Sequence, residues 1–108
     1  MTTEIVIAQT TLGDEESAKK LAHGAVAARL AACAHIDAPL TAVYRWNENI
    51  ETAAEWRVSF KTTKSRLAEL AEWVGQEHSY DVPEWIVLTV ADVSDAYLAW
   101  VVNETTPA

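Results

Sequence analysis

The segment VYRWNENIETAAEWRVSF, residues 43–60, sets the topology predicted for this chain. Its middle, Asn47–Asn49, is polar and has residue types that favour turns. Aromatic and β-branched residues, which favour strands, lie on both sides of that turn with partial alternation: Val43, Tyr44, Trp46, Trp56, Val58 and Phe60. We therefore expect a hairpin of two long strands, with Pro39 near its start at an edge or a bulge.

The segment before the hairpin predicts a strand and then a helix. EIVIAQT, residues 4–10, is short and rich in β-branched residues, as buried strands are. Within residues 11–33, Asp14, Glu15 and Glu16 supply the acidic start that stabilises a helix N-terminus. Apolar residues then recur on two adjoining helical stripes: Leu21, Ala25, Ala28, Ala32 and Ala22, Val26, Leu30, Cys33. We expect an alanine-rich helix that packs closely on a sheet.

The segment after the hairpin predicts a helix, a strand and a second helix. Thr63 is expected to cap a helix over KSRLAELAEWVGQEH, residues 64–78. PEWIVLTVAD, residues 83–92, predicts a strand, because it is a short apolar run that follows a proline. Ser94 is then expected to cap a last helix over residues 95–104.

The whole chain, residues 1–108, suits one α+β domain: a ferredoxin-like βαββαβ sandwich with an added C-terminal helix. Two helices should cover one face of its antiparallel sheet, and the other face is expected to have no cover within the chain. Five tryptophans are also many for so short a chain. We therefore expect association through the open face or through the long hairpin.

The composition excludes some classes of partner and location. A formal net charge of −8 repels phosphate groups, so neither nucleic acid nor an anionic membrane is an expected partner. Cys33 is the single cysteine, so no internal disulfide can form. The start lacks the basic and apolar regions of a signal peptide, and the apolar run at residues 25–34 is too short to span a bilayer. We expect a cytoplasmic protein.

Several short segments match a known family in their order and spacing: ARLAACAHI (28–36), VYRWNENIE (43–51), FKTTKS (60–65), HSYDVPEWIVLTV (78–90) and YLAWV (97–101). On these residues the chain resembles the CutA family of divalent-cation tolerance proteins over nearly its whole length. The resemblance implies a tightly packed homotrimer of ferredoxin-like subunits and a link to copper and other divalent cations. The subunit also resembles PII-type signalling proteins, which hold small ligands in clefts between trimer subunits. Tyr44, Trp46 and Trp56 are then expected in the trimer interface.

Three positions depart from the family pattern, and one of them is Ser79, which replaces the proline often found between the histidine and the tyrosine. Glu48 stands where many members have a glycine in the hairpin turn. A side chain there disfavours a left-handed conformation, so we expect a different turn type. Thr10 stands where some members have a second cysteine, which argues against a copper site with two thiolates.

Cys33 is the first candidate for binding a metal ion, because a thiolate is a soft ligand that favours monovalent copper. By resemblance, Cys33 and Glu55 occupy positions that are linked to metal in some relatives. His35 shares a face with Cys33 if that stretch is extended, and imidazole also suits copper. The expected cofactor is therefore copper or another divalent cation, with Cys33, Glu55 and His35 as candidate ligands. The alternative is that Cys33 packs as a small buried hydrophobe.

The segment HSYDVPE, residues 78–84, combines titratable groups with an aromatic ring and is the best candidate for a ligand cleft. His78, Tyr80 and Glu84 would meet a ligand there together with Lys61. The alternative is a structural corner that ends the second helix, with Glu84 paired to Lys61.

No pattern in the sequence indicates an enzyme. A catalytic nucleophile needs an adjacent base and an oxyanion hole, and no glycine-rich turn accompanies Cys33. The chain is therefore predicted to be a non-enzymatic, trimeric protein of divalent-cation (copper) tolerance. One alternative is a PII-like module that binds a small anionic or nucleotide ligand at the subunit cleft. The other is a trimeric scaffold for a partner protein.

Overall fold

One antiparallel sheet carries three helices in the computed structural model, which describes residues 3–107. Met1, Thr2 and Ala108 belong to the predicted domain 1–108 and lie outside the described residues. In chain order the elements are β1 (Ile5–Leu12), α1 (Glu15–Ala27), β2 (Cys33–Ile36), β3 (Leu40–Trp46), β4 (Asn49–Thr63), α2 (Leu67–Glu77), β5 (Ile86–Thr89) and α3 (Asp95–Thr105).

The strand β4 is 15 residues long and pairs with three other strands. β1 and β2 pair with its C-terminal half, β3 pairs with its N-terminal half, and β5 lies beyond β1. All pairs are antiparallel, so the predicted ferredoxin-like α+β fold is confirmed. The strand predicted at the start of the hairpin is divided into β2 and β3 around Pro39, because proline has no N–H to donate to a ladder.

The core lies between one face of the sheet and helices α1 and α2. Even-numbered residues of β4 face this core, because side chains alternate along a strand, and Val58 and Phe60 are fully buried there. The predicted helical stripes supply the facing layer, with Ala25 of α1 and Leu70 and Val74 of α2 also buried. The small side chains of α1 let its backbone approach the sheet closely.

Helix α1 ends at Ala27, earlier than its apolar stripes predicted. The N–H of Leu30 donates to the carbonyl of Ala25 at 3.0 Å, and the N–H of Arg29 donates to Val26 at 3.1 Å. These two bonds close the chain in a Schellman turn, with Arg29 in the left-handed conformation at φ 60°. Cys33 therefore lies on a strand, β2, and not on the helix.

Arg29 occupies a position where glycine is usual, and its side chain explains the exception. Its guanidinium donates to the carbonyls of Asn103 and Glu104, at 3.5 and 3.3 Å, in the last turn of α3. Those carbonyls have no partner within their own helix, so a cation there is favourable. The turn after α1 is thereby tied to the end of α3.

The two predicted helix caps have different outcomes. Thr63 does not cap α2: it is the last residue of β4, and its carbonyl accepts from the N–H of Arg66 at 3.1 Å. α2 begins at Leu67, and no side chain caps it. Ser94 caps α3 as predicted, because its hydroxyl accepts from the N–H of Tyr97 at 3.2 Å.

The hairpin turn keeps a left-handed conformation in spite of Glu48. Asn47 has φ 47° and Glu48 has φ 66°, which are the angles of a two-residue type I′ turn. The expectation of a different turn type is therefore wrong. The right-handed twist of the two long strands favours this turn strongly enough to hold a residue with a side chain in it.

Helix α3 covers one end of the second sheet face. Its Val101 packs with Ile5 of β1 and with Ala32 in a separate buried cluster. The expectation that this face has no cover within the chain is therefore wrong for that end. Elsewhere, large apolar side chains remain exposed on the hairpin, on β5 and on α3: Val43, Tyr44, Trp46, Ile50, Ile86, Leu88, Trp100 and Val102.

Replacing Gly24 by alanine should destabilise the chain, because α1 and α2 meet there without room for a side chain. A Cβ at Gly24 would lie 2.7 Å from a ring carbon of Trp73. Overpacking of this kind costs about 1–3 kcal/mol of unfolding free energy, of which the better helix propensity of alanine offsets about 0.5–1 kcal/mol. Urea denaturation at constant protein concentration measures the difference.

Gly75→Ala is the matched control for this substitution, since nothing lies within 4 Å of a Cβ at Gly75. It should stabilise the chain by about 0.5–1 kcal/mol through helix propensity alone. In the Gly24→Ala background, Trp73→Phe should cost less than it does alone. Equal effects of the two alanine variants would contradict the packing described.

Candidate functional site

A cleft of about 820 Å³ lies between the β3–β4 hairpin and the loop that joins α2 to β5. Side chains of alternate residues on β3 and β4 point to this face of the sheet. The loop closes the opposite side. The residues that give the cleft its chemical character are Tyr44, Trp46, Glu55, Arg57, Tyr80, Asp81 and Glu84.

His78 holds the loop in place from behind the cleft. Its side chain is buried, and its Nδ1 accepts from the N–H of Tyr80 at 3.1 Å. The proton of the neutral ring is then on Nε2, which donates to the carbonyl of Thr11 at 2.9 Å. Both ring nitrogens are occupied by backbone groups, so His78 forms the structural corner that was the alternative to a ligand role.

Tyr80 joins the loop to the hairpin. Its hydroxyl donates to Oε2 of Glu55 at 3.0 Å, and its ring lies 4.8 Å from that of His78. A Cβ added at Gly13 would come within 2.9 Å of the same hydroxyl, so glycine leaves the space that the phenol fills. Burial of the phenol, and then the hydrogen bond to Glu55, raise the pKa of Tyr80 to about 12.

Lys61 belongs to a different part of the sheet from the cleft. It lies directly opposite Cys33 in the β2–β4 ladder, and its Nζ is 2.8 Å from Nδ1 of His35. Six residues of β4, roughly 20 Å, separate it from Glu55. Of the four residues predicted for the cleft, the structure therefore brings together Tyr80 and Glu84, with His78 behind them and Lys61 remote.

The structure also separates the three predicted metal ligands, with two of them together and the third apart. Cys33 and His35 lie two residues apart on β2 and share a face, as expected for an extended stretch. His35 pairs with Ser59, whereas Glu55 pairs with Leu40, so four residues of β4, roughly 13 Å, lie between them. Within residues 3–107 no group of three His, Cys, Asp or Glu side chains could hold a metal ion.

The predicted interface residues lie on both faces of the hairpin sheet. Tyr44 and Trp46 are 43% and 45% exposed, and both line the cleft. Trp56 is half-buried and packs against the core beneath the helices. Arg57 and Asp81 are cleft residues that the sequence analysis missed; alternation along β4 from Glu55 could have indicated Arg57.

In the part of the chain that the structure describes, no helix combines the length and the apolar character needed to cross a membrane.

The hydroxyl of Tyr80 should make stability depend on pH in alkaline solution. Its folded pKa of about 12 exceeds the ordinary value of 10.0, so its contribution is complete below pH 10.0 and is lost as the pH rises towards 12. We expect Tyr80→Phe to flatten the fall in urea midpoint over that interval. Tyr44→Phe, from the same cleft, should retain most of the fall. An unchanged profile in Tyr80→Phe would remove Tyr80 as its source.

Comparison with known proteins supports a single family. The chain is 38% identical to the divalent-cation tolerance protein CutA of Pyrococcus horikoshii, over 94% of this chain and 98% of that protein. It is also 38% identical to the chloroplastic CutA protein of Arabidopsis thaliana over 93% of this chain, but it spans only 55% of that relative. The chain thus covers about half the length of such plant relatives.

Solved structures agree with the sequence matches. The structure of CutA from Synechococcus elongatus superposes with a TM-score of 0.93 at 37% identity, over 98% of this chain and 95% of that one. The family model described as CutA1 divalent ion tolerance protein matches residues 6–104. With nearly every described element inside that match, the chain belongs to the CutA1 divalent ion tolerance family.

Proposed function

We propose that this chain serves divalent-cation tolerance as a homotrimer that binds copper or a similar ion and catalyses no reaction. The observation that carries the metal proposal is the pair formed by Cys33 and His35 on one face of β2. A thiolate and an imidazole are soft and borderline ligands, which suit copper. Lys61 donates to Nδ1 of His35, so that nitrogen presents a lone pair that a metal ion would use in its place.

The Cys33 sulfur makes a weak hydrogen bond with the hydroxyl of Tyr97 on α3, at 3.7 Å. It is half-buried beside α3 and belongs to neither buried cluster, which favours the ligand role over the alternative of a small buried hydrophobe. One chain supplies two ligands. Water or groups of other subunits would then fill the remaining coordination positions of the metal ion.

The unpaired sheet edges and the two-sided hairpin support the homotrimer. β2, β3 and β5 are edge strands of the sheet, and an edge strand presents backbone groups that can pair with another chain. Tyr44 and Trp46 are exposed on one face of the hairpin, while Val43 and Ile50 are 66% and 69% exposed on the other. A hairpin with apolar side chains on both faces needs a partner on each.

We expect the purified chain to have the mass of three subunits, each 11.9 kDa, by light scattering at micromolar concentration. Ile50→Asp should weaken the assembly, because it places a charge in an apolar contact. Gln76→Asp adds the same charge to the exposed side of α2 and should not. A monomeric wild-type chain would contradict the trimer.

Copper affinity should depend on Cys33 and His35. In competition with a chelator, Cys33→Ala and His35→Ala should each lower the affinity at least about tenfold, because each removes one ligand. His23→Ala, an exposed histidine on α1, is the matched control and should have no effect. Lys61→Met should not weaken binding, since it removes a competing cation. Weak binding that is equal in all four variants would overturn the metal site.

A second candidate function is a PII-like module that binds a small ligand at a cleft between subunits, and the cleft of about 820 Å³ beside the edge strand β3 favours it. A cavity of this size falls in the usual volume range for ligand sites, and its walls combine apolar side chains with charged and polar ones. The cytoplasmic location stays a prediction; two plant relatives are described as chloroplastic.

A further inference from the structure

We propose that the site formed by Cys33 and His35 selects monovalent copper over divalent ions. Two residues that are not ligands, Tyr97 and Lys61, make this selection. The hydroxyl of Tyr97 approaches the sulfur of Cys33 from α3, and Lys61 lies directly opposite Cys33 on β4. Both roles rest on the copper binding proposed above.

The small number of ligands is the first reason for a monovalent ion. Cys33 and His35 supply one thiolate and one imidazole, and among the described residues no third histidine, cysteine or carboxylate joins them. Structural zinc is almost always four-coordinate, and harder divalent ions need about six or more oxygen ligands. Monovalent copper is soft, prefers thiolate and is held by fewer ligands. The described residues therefore suit this ion best.

The hydrogen bond between Tyr97 and Cys33 has a fixed direction once a metal ion is bound. In the free protein either group could donate across the 3.7 Å between the hydroxyl and the sulfur. A cysteine binds a metal ion as the thiolate, which has no proton to give. A tyrosine hydroxyl keeps its proton at neutral pH. In the metal-bound protein Tyr97 is therefore the donor and the sulfur is the acceptor.

A hydrogen bond to a thiolate draws electron density away from the sulfur. A divalent ion takes more density from its ligands than a monovalent ion does, so the divalent ion loses more when the sulfur also accepts a proton donor. Hydrogen bonding around a cysteine sulfur tunes the balance between the two oxidation states of copper for this reason. The hydroxyl of Tyr97 thus favours the monovalent ion.

The packing of α3 holds the Tyr97 hydroxyl in place beside the sulfur. The ring of Tyr97 lies 5.6 Å from that of Trp100, one turn further along the helix. Val101 of the same helix is fully buried and packs with Ala32, the residue before Cys33. Because α3 is packed against the start of β2, its hydroxyl can orient the sulfur as an outer partner of the metal site.

Lys61 adds a positive charge beside the two ligands. It is half-buried, and its Nζ lies 2.8 Å from Nδ1 of His35. A metal ion that takes this nitrogen displaces the ammonium group, but the lysine remains on the strand opposite Cys33. Coulomb repulsion is proportional to the charge of the ion, so it is twice as large for a divalent ion as for a monovalent one.

The selection can be measured as the ratio of the affinities for monovalent copper and for Co²⁺, a divalent probe. Copper affinity would be measured without oxygen against a competing chelator, on the intact assembled protein. Co²⁺ would be followed by its sulfur-to-metal charge-transfer band, which reports binding at Cys33.

Tyr97→Phe removes the hydroxyl and keeps the ring beside Trp100. It should lower the affinity ratio about three- to tenfold, the effect of one hydrogen bond. The Co²⁺ band should also move to longer wavelength, because the sulfur electrons lose the stabilisation of the bonded proton. Tyr44→Phe removes a hydroxyl from the hairpin, is the matched control, and should change neither the ratio nor the band.

Lys61→Met should raise the affinity for Co²⁺ more than that for monovalent copper and so lower the ratio severalfold. Lys61→Arg keeps the charge and should retain most of the selection. Light scattering on each variant shows whether the assembly is intact.

The outcomes separate the selection from the copper site itself. Co²⁺ that binds at Cys33 as tightly as monovalent copper would overturn the selection and leave the copper site in place. A ratio and a band that are unchanged in Tyr97→Phe and Lys61→Met would remove both residues as its cause. If the wild type gives no Co²⁺ band, the double variant must gain one for these residues to be the cause. Copper binding that Cys33→Ala leaves unchanged would overturn the copper site and the selection together.

Discussion

The length of β4 is the constraint on which the rest of the structure depends. A strand of 15 residues offers more backbone groups than β1 can pair with, so β2 and β3 fill the remaining ladder. Side chains alternate along this strand between the two faces of the sheet. Even-numbered side chains such as Phe60 enter the core under α1 and α2, and odd-numbered ones such as Glu55 and Lys61 face the open side.

The two candidate sites are placed at opposite ends of the same strand. Glu55 brings the N-terminal half of β4 to the cleft, and Lys61 brings the C-terminal half to Cys33 and His35. The nearest groups of the two sites, His35 and Glu55, lie roughly 13 Å apart along β4, more than one Debye length at physiological ionic strength, so charges at one site are partly screened from the other.

Most of the fold could be predicted because its signals are local, and most of the errors concern contacts between distant segments. The turn residues at Asn47 and the cap at Ser94 act on their immediate neighbours. The end of α1 was misplaced because no glycine marks it, and the compensating contact of Arg29 is with residues more than 70 positions away.

The grouping of site residues could not be predicted for a related reason. Lys61 was assigned to the cleft and Glu55 to the metal site, whereas the register of β4 places each with the other group. Register depends on how three strands share one partner, and no short segment contains that information. The bond from Tyr80 to Glu55, 25 residues apart, was missed for the same reason.

The contact between Arg29 and the end of α3 has a consequence for any shortened or rearranged form of the chain. Removing α3 would expose Ile5 and also leave Arg29 in a left-handed conformation without the hydrogen bonds of its guanidinium to the end of α3. The first helix would then lose a favourable ending, although it lies far away in sequence. The last helix thus helps to fix where the first helix ends. Dividing the chain between them would not yield two segments that fold independently.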